Sequence, residues 1–165
     1  MPGKETMERV QQDQQEGKAP STQAGEFIRE EIDHIREGKH GARSTKQAIA
    51  IGLSKARRAG VNLAPPKRGK APESTRKQAA RDLEKGQTSP GETPSPRRSR
   101  ATTKALQREG KAAASSSALS RQAKASARNR NAASRSEAAE KAVRTKGKAG
   151  LSEAAQKAAR TRAQR

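Results

Sequence analysis

Apolar side chains larger than alanine are scarce in this chain, and they are bunched. Nine of the fifteen Ile, Leu, Val and Phe residues fall between positions 21 and 63: Phe27, Ile28, Ile32, Ile35, Ile49, Ile51, Leu53, Val61 and Leu63. At a helical step of about 100° per residue, Ala24, Ile28, Ile32 and Ile35 share one side, and Glu26, Glu30, Asp33 and Glu37 share the other. This spacing predicts an amphipathic helix that Ser21 or Thr22 caps and that Gly38, with Gly41, ends. A second segment opens at Ser44, which stands three residues before Gln47, the spacing of a reciprocal cap. Ile49, Leu53 and Ala56 form its stripe, and Gly60 is its stop. Two antiparallel helices therefore make a hairpin over about 22–60. Ile51 lies about 160° around the helix from Ile49, beside Lys55 and Arg58, so one two-helix contact cannot bury both isoleucines. Self-association through 21–63, or a partner, is expected to complete so small a core.

Outside that hairpin the pattern fades. Residues 1–20 are rich in Gln, Glu and Gly and read as disordered. Residues 64–100 read as a basic linker. It opens with Pro65-Pro66-Lys-Arg-Gly-Lys70, has a short charged helix near 74–85, and is interrupted by Pro90, Pro94 and Pro96. Residues 101–165 are mainly Ala, Ser, Lys and Arg. They contain a repeat: Ser136–Lys146 recurs as Ser152–Arg162 with eight of eleven positions identical. Each copy offers a capping Ser and a Glu four residues before a Lys, which favours local helix without any stripe to bury. The larger apolar residues are about 9% of the chain, against the roughly 20% below which highly charged chains stay unfolded. The expected fold class is a mostly disordered chain with short α-helices, the 22–60 hairpin, no β-sheet, and marginal helices in the tail.

Charge sharpens this picture. Residues 1–40 carry six basic and nine acidic side chains, whereas residues 41–165 carry 31 and eight, so the parts differ as −3 and +23. That excess makes a polyanion the expected partner, since each Lys or Arg that meets a phosphate releases a condensed counterion. The candidate nucleic-acid contacts are Arg43, Lys46, Lys55, Arg57 and Arg58 in the hairpin and Lys67, Arg68 and Lys70 in the linker. Arg97, Arg98 and Arg100 follow ahead of the tail, then Lys141, Arg144, Lys146, Lys157, Arg160 and Arg162 in the repeats. With Phe27 as the single aromatic residue, base-stacking modules are excluded, which favours duplex DNA, with RNA as the alternative. The mechanism is contact with the phosphate backbone and little base readout, although Pro96-Arg-Arg-Ser-Arg100 has the composition of a minor-groove arm.

Other chemistries are excluded or thin. Cysteine is absent, which removes disulfides, thiolate zinc sites and thiol nucleophiles. No phosphate-binding loop, dinucleotide fingerprint or nucleophile elbow is present, so no enzyme and no cofactor is expected. His34 and His40 are the only histidines. His34 with Glu30 or Glu37 is a thin metal candidate, and no metal is expected. Ala48-Ile-Ala-Ile-Gly52-Leu-Ser54 echoes a helix-turn-helix turn, but Arg58 stands where an apolar residue should follow, which favours a continuous helix. Glu26, Glu30, Asp33 and Glu37 could pair with Arg43, Lys55, Arg58 or the tail until a polyanion displaces them. Ser/Thr-Pro pairs at 89, 93 and 95 are candidate phosphosites within a stiff linker. The polar start and the lack of a long apolar run point to a cytoplasmic, nucleoid-associated protein with no membrane contact. A mean hydropathy of −1.16 also suits a stress-protective hydrophilic protein, and an RNA- or ribosome-associated factor is a further alternative.

Residues 26–60, from Glu26-Phe-Ile-Arg-Glu-Glu-Ile through Lys46-Gln-Ala-Ile-Ala-Ile-Gly-Leu-Ser-Lys-Ala-Arg57, resemble a family of small, basic bacterial proteins of unassigned function. Its members carry a helix ending in a Gly-Lys-x-x-Gly-like turn, then K-Q-A-I-A-I-[AG]-L-S-x-A-R, and are often labelled DNA-binding. The resemblance covers residues 24–60 and implies a bacterial setting and one structural unit there. The tail is similar to histone H1-like bacterial proteins in composition only.

Overall fold

Pro20 and Gly38 bracket the helix that carries Phe27, Ile28, Ile32 and Ile35. Proline in a first turn gives up an N–H that would have no intrahelical partner. Gly38 takes the left-handed conformation at φ 82°, and the amides of Gly38 and Lys39 return to the carbonyls of Ile35 and His34, closing the helix. The computed structural model of the chain describes residues 2–89 and 95–164, the side chains of Thr145 and Lys146 excepted. In chain order the helices are α1 (Lys4–Gln15), α2 (Pro20–Glu37), α3 (Thr45–Arg58), α4 (Glu73–Thr88), α5 (Pro96–Gln107), α6 (Ser116–Arg128) and α7 (Ala132–Ala163), with a 3-10 turn at Ala112–Ala114. Among the described residues there is no strand. Two units are formed, Met1–Gln122 and Ala123–Arg165.

The expectation of a mostly disordered chain is overturned, because 76% of it is helical. The physical reason lies in what fills the core. Seven of the twelve buried apolar residues described are alanines: Ala24, Ala42, Ala48, Ala56, Ala79, Ala113 and Ala114. Rules based on Ile, Leu, Val and Phe count none of them. Alanine buries little area but lets backbones approach, and close backbones gain dispersion contacts that bulky residues would supply elsewhere. Gly52 carries this furthest. A Cβ there would sit 2.8 Å from Cα of Ile28, so α2 and α3 touch almost backbone to backbone, and α3 runs unbroken through the helix-turn-helix echo.

Two apolar clusters result, both in the first unit. Val10, Ala24, Phe27, Ala56 and Val61 bring together α1, α2 and α3. Ile32, Ile35, Ala42, Ala48, Ala113 and Ala114 bring the hairpin together with the 3-10 turn. The stretch 1–20, expected to be disordered, contains α1, which docks through Val10 and an ion pair from Arg9 Nε to Glu26 at 2.7 Å. The stretch 64–100 is not merely a linker, because α4 packs on α3, with Gly86 against the carbonyl of Arg57. Distant parts of the same chain thus cover much of the apolar surface of the hairpin, although Ile49 and Ile51 stay half-buried outside both clusters. Pro90, Thr93 and Pro94, which the phosphosite and linker expectations invoke, lie outside the described residues.

In the second unit, α7 begins with Asn131 accepting the amide of Ser134 at 2.8 Å and turns at Gly147, φ 64°. One copy of the repeat therefore falls in each helical arm. The tail helices, expected to be marginal, extend through most of this unit; alanine has the highest intrinsic helix propensity, and the capping residue satisfies a free amide.

Two glycines separate these effects. Gly52→Ala should destabilise the protein by about 1–3 kcal/mol, since a methyl must force the helices apart. Gly25, inside α2 with nothing within 4 Å of its would-be Cβ, should gain about 0.5–1 kcal/mol on the same change. Thermal unfolding followed by circular dichroism reads both. Equal shifts in one direction would contradict the close approach at Gly52.

Candidate nucleic-acid interface

The cations expected to meet phosphate divide into two populations. Lys55, Arg57 and Arg58 turn inward. Lys55 Nζ donates to Glu31 Oε2 at 2.5 Å. Arg57, 6% exposed, donates to the carbonyls of Leu63 at 3.0 Å and Ala64 at 3.3 Å, and burial holds its pKa below the usual guanidinium value although Asp82 opposes this. Arg58 Nε donates to Asp82 at 2.7 Å, and the buried Asp82 carboxylate also accepts from Ser54 at 2.6 Å and Gln78 at 2.9 Å. These bonds fasten α3 to α2, to the segment after it, and to α4. Three donors on one buried carboxylate is the arrangement that buried charge requires.

The others point outward. Lys46, Lys67, Arg68 and Lys70 are exposed. Arg43 reaches Glu109 only at 3.8 Å, with its side chain 79% exposed. Helix α5 is built for display. Pro96 opens it, Ser95 accepts the amide of Arg98, and no residue of the helix is buried. Arg97, Arg98, Arg100 and Lys104 stand on it without one acidic residue. Among the described residues no ion pair engages Arg97, Arg98 or Arg100. What holds α5 is its C-terminal end. The Leu106 carbonyl accepts the amide of Gly41 at 2.9 Å, and the Gly110 carbonyl accepts that of Ala42 at 3.1 Å. Just beyond, Thr45 Oγ1 donates to the Ala113 carbonyl at 2.7 Å and Arg36 Nε to that of Ala114 at 3.1 Å. The turn of the hairpin thus grips residues 106–114 and carries α5 as an arm. In the second unit Lys141, Arg144, Lys157, Arg160 and Arg162 are exposed on α7. The side chain of Lys146 lies outside the described ones.

The acidic face of α2 is not held in reserve for the tail. Glu26 pairs with Arg9, Glu30 accepts the amide of Gly3, Asp33 faces Arg36 at 3.5 Å, and Glu37 meets Lys39 at 2.8 Å. The carboxylate that matters most was on neither sequence-derived face. Glu31 is fully buried, with Lys55 on Oε2 and His40 Nε2 at 3.3 Å from Oε1. His34 stands one turn further along α2, its ring centroid 6.2 Å from that of His40 and nearly perpendicular to it. Burial, then Lys39 and Lys55, hold the His34 pKa below the usual imidazole value, so it is neutral at neutral pH. The one signal in the sequence is the Glu-x-x-His spacing of Glu31 and His34, followed by a glycine-ended helix that returns His40.

A family model described as a family of unknown function (DUF6496) matches residues 21–68, which run from α2 through α3 to the Pro-Pro-Lys-Arg stretch. No curated protein and no solved structure matches the chain. No helix among the described residues is long and apolar enough to cross a membrane.

Proposed function

We propose that the protein binds duplex DNA with low sequence specificity, through Lys and Arg contacts to the phosphate backbone. The observation that carries this reading is the sorting of the cations. Lys55, Arg57 and Arg58 are spent on internal bonds, while residues 95–165 hold 19 basic and four acidic side chains, and Arg97, Arg98 and Arg100 and the cations of the repeats stand exposed on α5 and α7, the undescribed side chain of Lys146 excepted. A helix such as α5, with four cations and no carboxylate, concentrates charge that would repel itself unless a polyanion lay alongside. Lys and Arg at this density position a protein on phosphates without reading bases. The single aromatic residue, Phe27, is fully buried, which leaves no platform for stacked bases and favours duplex DNA over single strands.

The test is a full-length variant, Arg97→Ser with Arg98→Ser and Arg100→Ser, measured by fluorescence anisotropy on a mixed-sequence duplex. Losing three phosphate contacts should make the slope of log affinity against log salt shallower by roughly 3, equally on unrelated sequences, with the melting temperature unchanged. Wild-type protein that ignores duplex DNA at cellular ionic strength would overturn the proposal. Structured RNA that outcompetes the duplex would overturn the choice of DNA.

A further inference from the structure

We propose that Glu31, His34 and His40 form a binding site for a single divalent transition-metal ion, with zinc the best fit. The two histidines are the only ones in the chain, and both lie at the same buried carboxylate. One ligand atom from each of the three residues can be chosen so that all lie within 4.8 Å of one another. Two nitrogens and one oxygen are a donor set for the borderline metals, and imidazole suits zinc, copper, nickel and iron, whereas calcium and magnesium prefer oxygen alone.

The local fold explains how they meet. Glu31 and His34 are three residues apart on α2 and so share a face. The helix then stops at Gly38, whose left-handed conformation costs glycine, which has no Cβ, little. The chain doubles back, and His40 is laid over the end of the helix with Nε2 3.3 Å from Glu31 Oε1. Tetrahedral zinc with bonds of about 2.0–2.1 Å has ligand atoms about 3.3–3.4 Å apart along each edge. His40 and Glu31 already hold that edge. His34 completes a face of the tetrahedron if the longest separation closes by about 1.4 Å at most, within reach of a χ adjustment in a side chain that is 22% exposed.

A second, independent feature points at a cation. His40 Nδ1 lies 3.1 Å from the carbonyl of Gly41, which accepts its proton. In a neutral ring that leaves Nε2 with a lone pair facing Glu31 Oε1 at 3.3 Å, and that oxygen is buried with no hydrogen-bond donor. Two acceptors facing each other at 3.3 Å repel unless something positive lies between them. An imidazole fixed by a backbone carbonyl through its far nitrogen is the usual state of a ligating histidine. Lys55 completes the second layer. By occupying Oε2 it leaves Oε1 as the ligating oxygen and orients the carboxylate. Three protein ligands leave a fourth position for water.

The experiment uses the full chain without an affinity tag, stripped with chelator and then titrated with zinc chloride. Isothermal calorimetry should show one equivalent bound, and cobalt(II) in its place should give the intense visible bands of a tetrahedral site. The two histidine ring signals in the NMR spectrum should both move, and together, up to one equivalent. This readout needs no mutation and so survives any variant that fails to fold. His34→Ala and His40→Ala should each weaken zinc binding by more than about 100-fold, beyond what loss of a supporting group costs, and Glu31→Gln should do the same while keeping the shape of the site. The proposal is overturned if the ring signals stay in place at excess zinc. It is equally overturned if the His34→Ala, His40→Ala double variant binds one equivalent as tightly as wild type.

Discussion

Raising the salt from 50 to 200 mM should weaken the complex with duplex DNA by about 10⁵-fold. About ten phosphate contacts give a slope near −9 for log affinity against log salt, and the exposed cations of α5 and α7, with Lys46, Lys67, Arg68 and Lys70, supply at least that number of candidates. Fluorescence anisotropy across a salt series measures the slope, and a value shallower than about −3 would show that these side chains are not on phosphate. The fold adds a control that composition alone could not. Lys55 and Arg58 are as basic as Arg97 and Arg98, yet they are tied to Glu31 and Asp82. Neutralising them should leave the salt slope where it is and lower the melting temperature. Neutralising α5 should do the reverse.

That contrast marks where the sequence stops being readable. The spacing of Ile28, Ile32 and Ile35 and the Ser44–Gln47 pair place the two central helices, because amphipathic period and capping are local properties. Gln47 accepts from the amide of Arg43 at 2.8 Å and gives its own amide to Ser44 at 3.2 Å, a cap formed within five residues. The fold as a whole is not legible in the sequence because its cohesion is not local. Ala113 and Ala114 are buried some 70 positions away from the hairpin residues they cover, and alanine carries no signal of burial. Residues 106–114 dock through backbone carbonyls, which every residue type has. Glu31 was passed over for a related reason. A periodic pattern assigns a charged residue to solvent by default, and only the arrival of Lys55 from α3 makes its burial tolerable. The exposed cations, by contrast, were legible as a class, but which of them remain outward depended on those same long-range pairings.

Lys55→Met should cost the protein about 2–4 kcal/mol. Removing one partner of a buried ion pair typically costs about 3–5 kcal/mol, because the remaining charge keeps its desolvation penalty and loses its compensation. Glu31 is fully buried, whereas the Lys55 side chain is 30% exposed, and solvent around the ammonium brings the figure down. At this chain length the melting temperature should fall by roughly 5–15 °C. The informative comparison is the double variant, Lys55→Met with Glu31→Met. Two apolar side chains of suitable length at a buried pair are often neutral or better, so the double variant should be more stable than Lys55→Met alone even though it carries one more substitution. That ordering follows only if the cost arises from a stranded carboxylate rather than from lost packing. A single variant that melts with wild type would show that Glu31 does not depend on Lys55. A double variant less stable than Lys55→Met would show that groups other than Lys55 stabilise the Glu31 side chain.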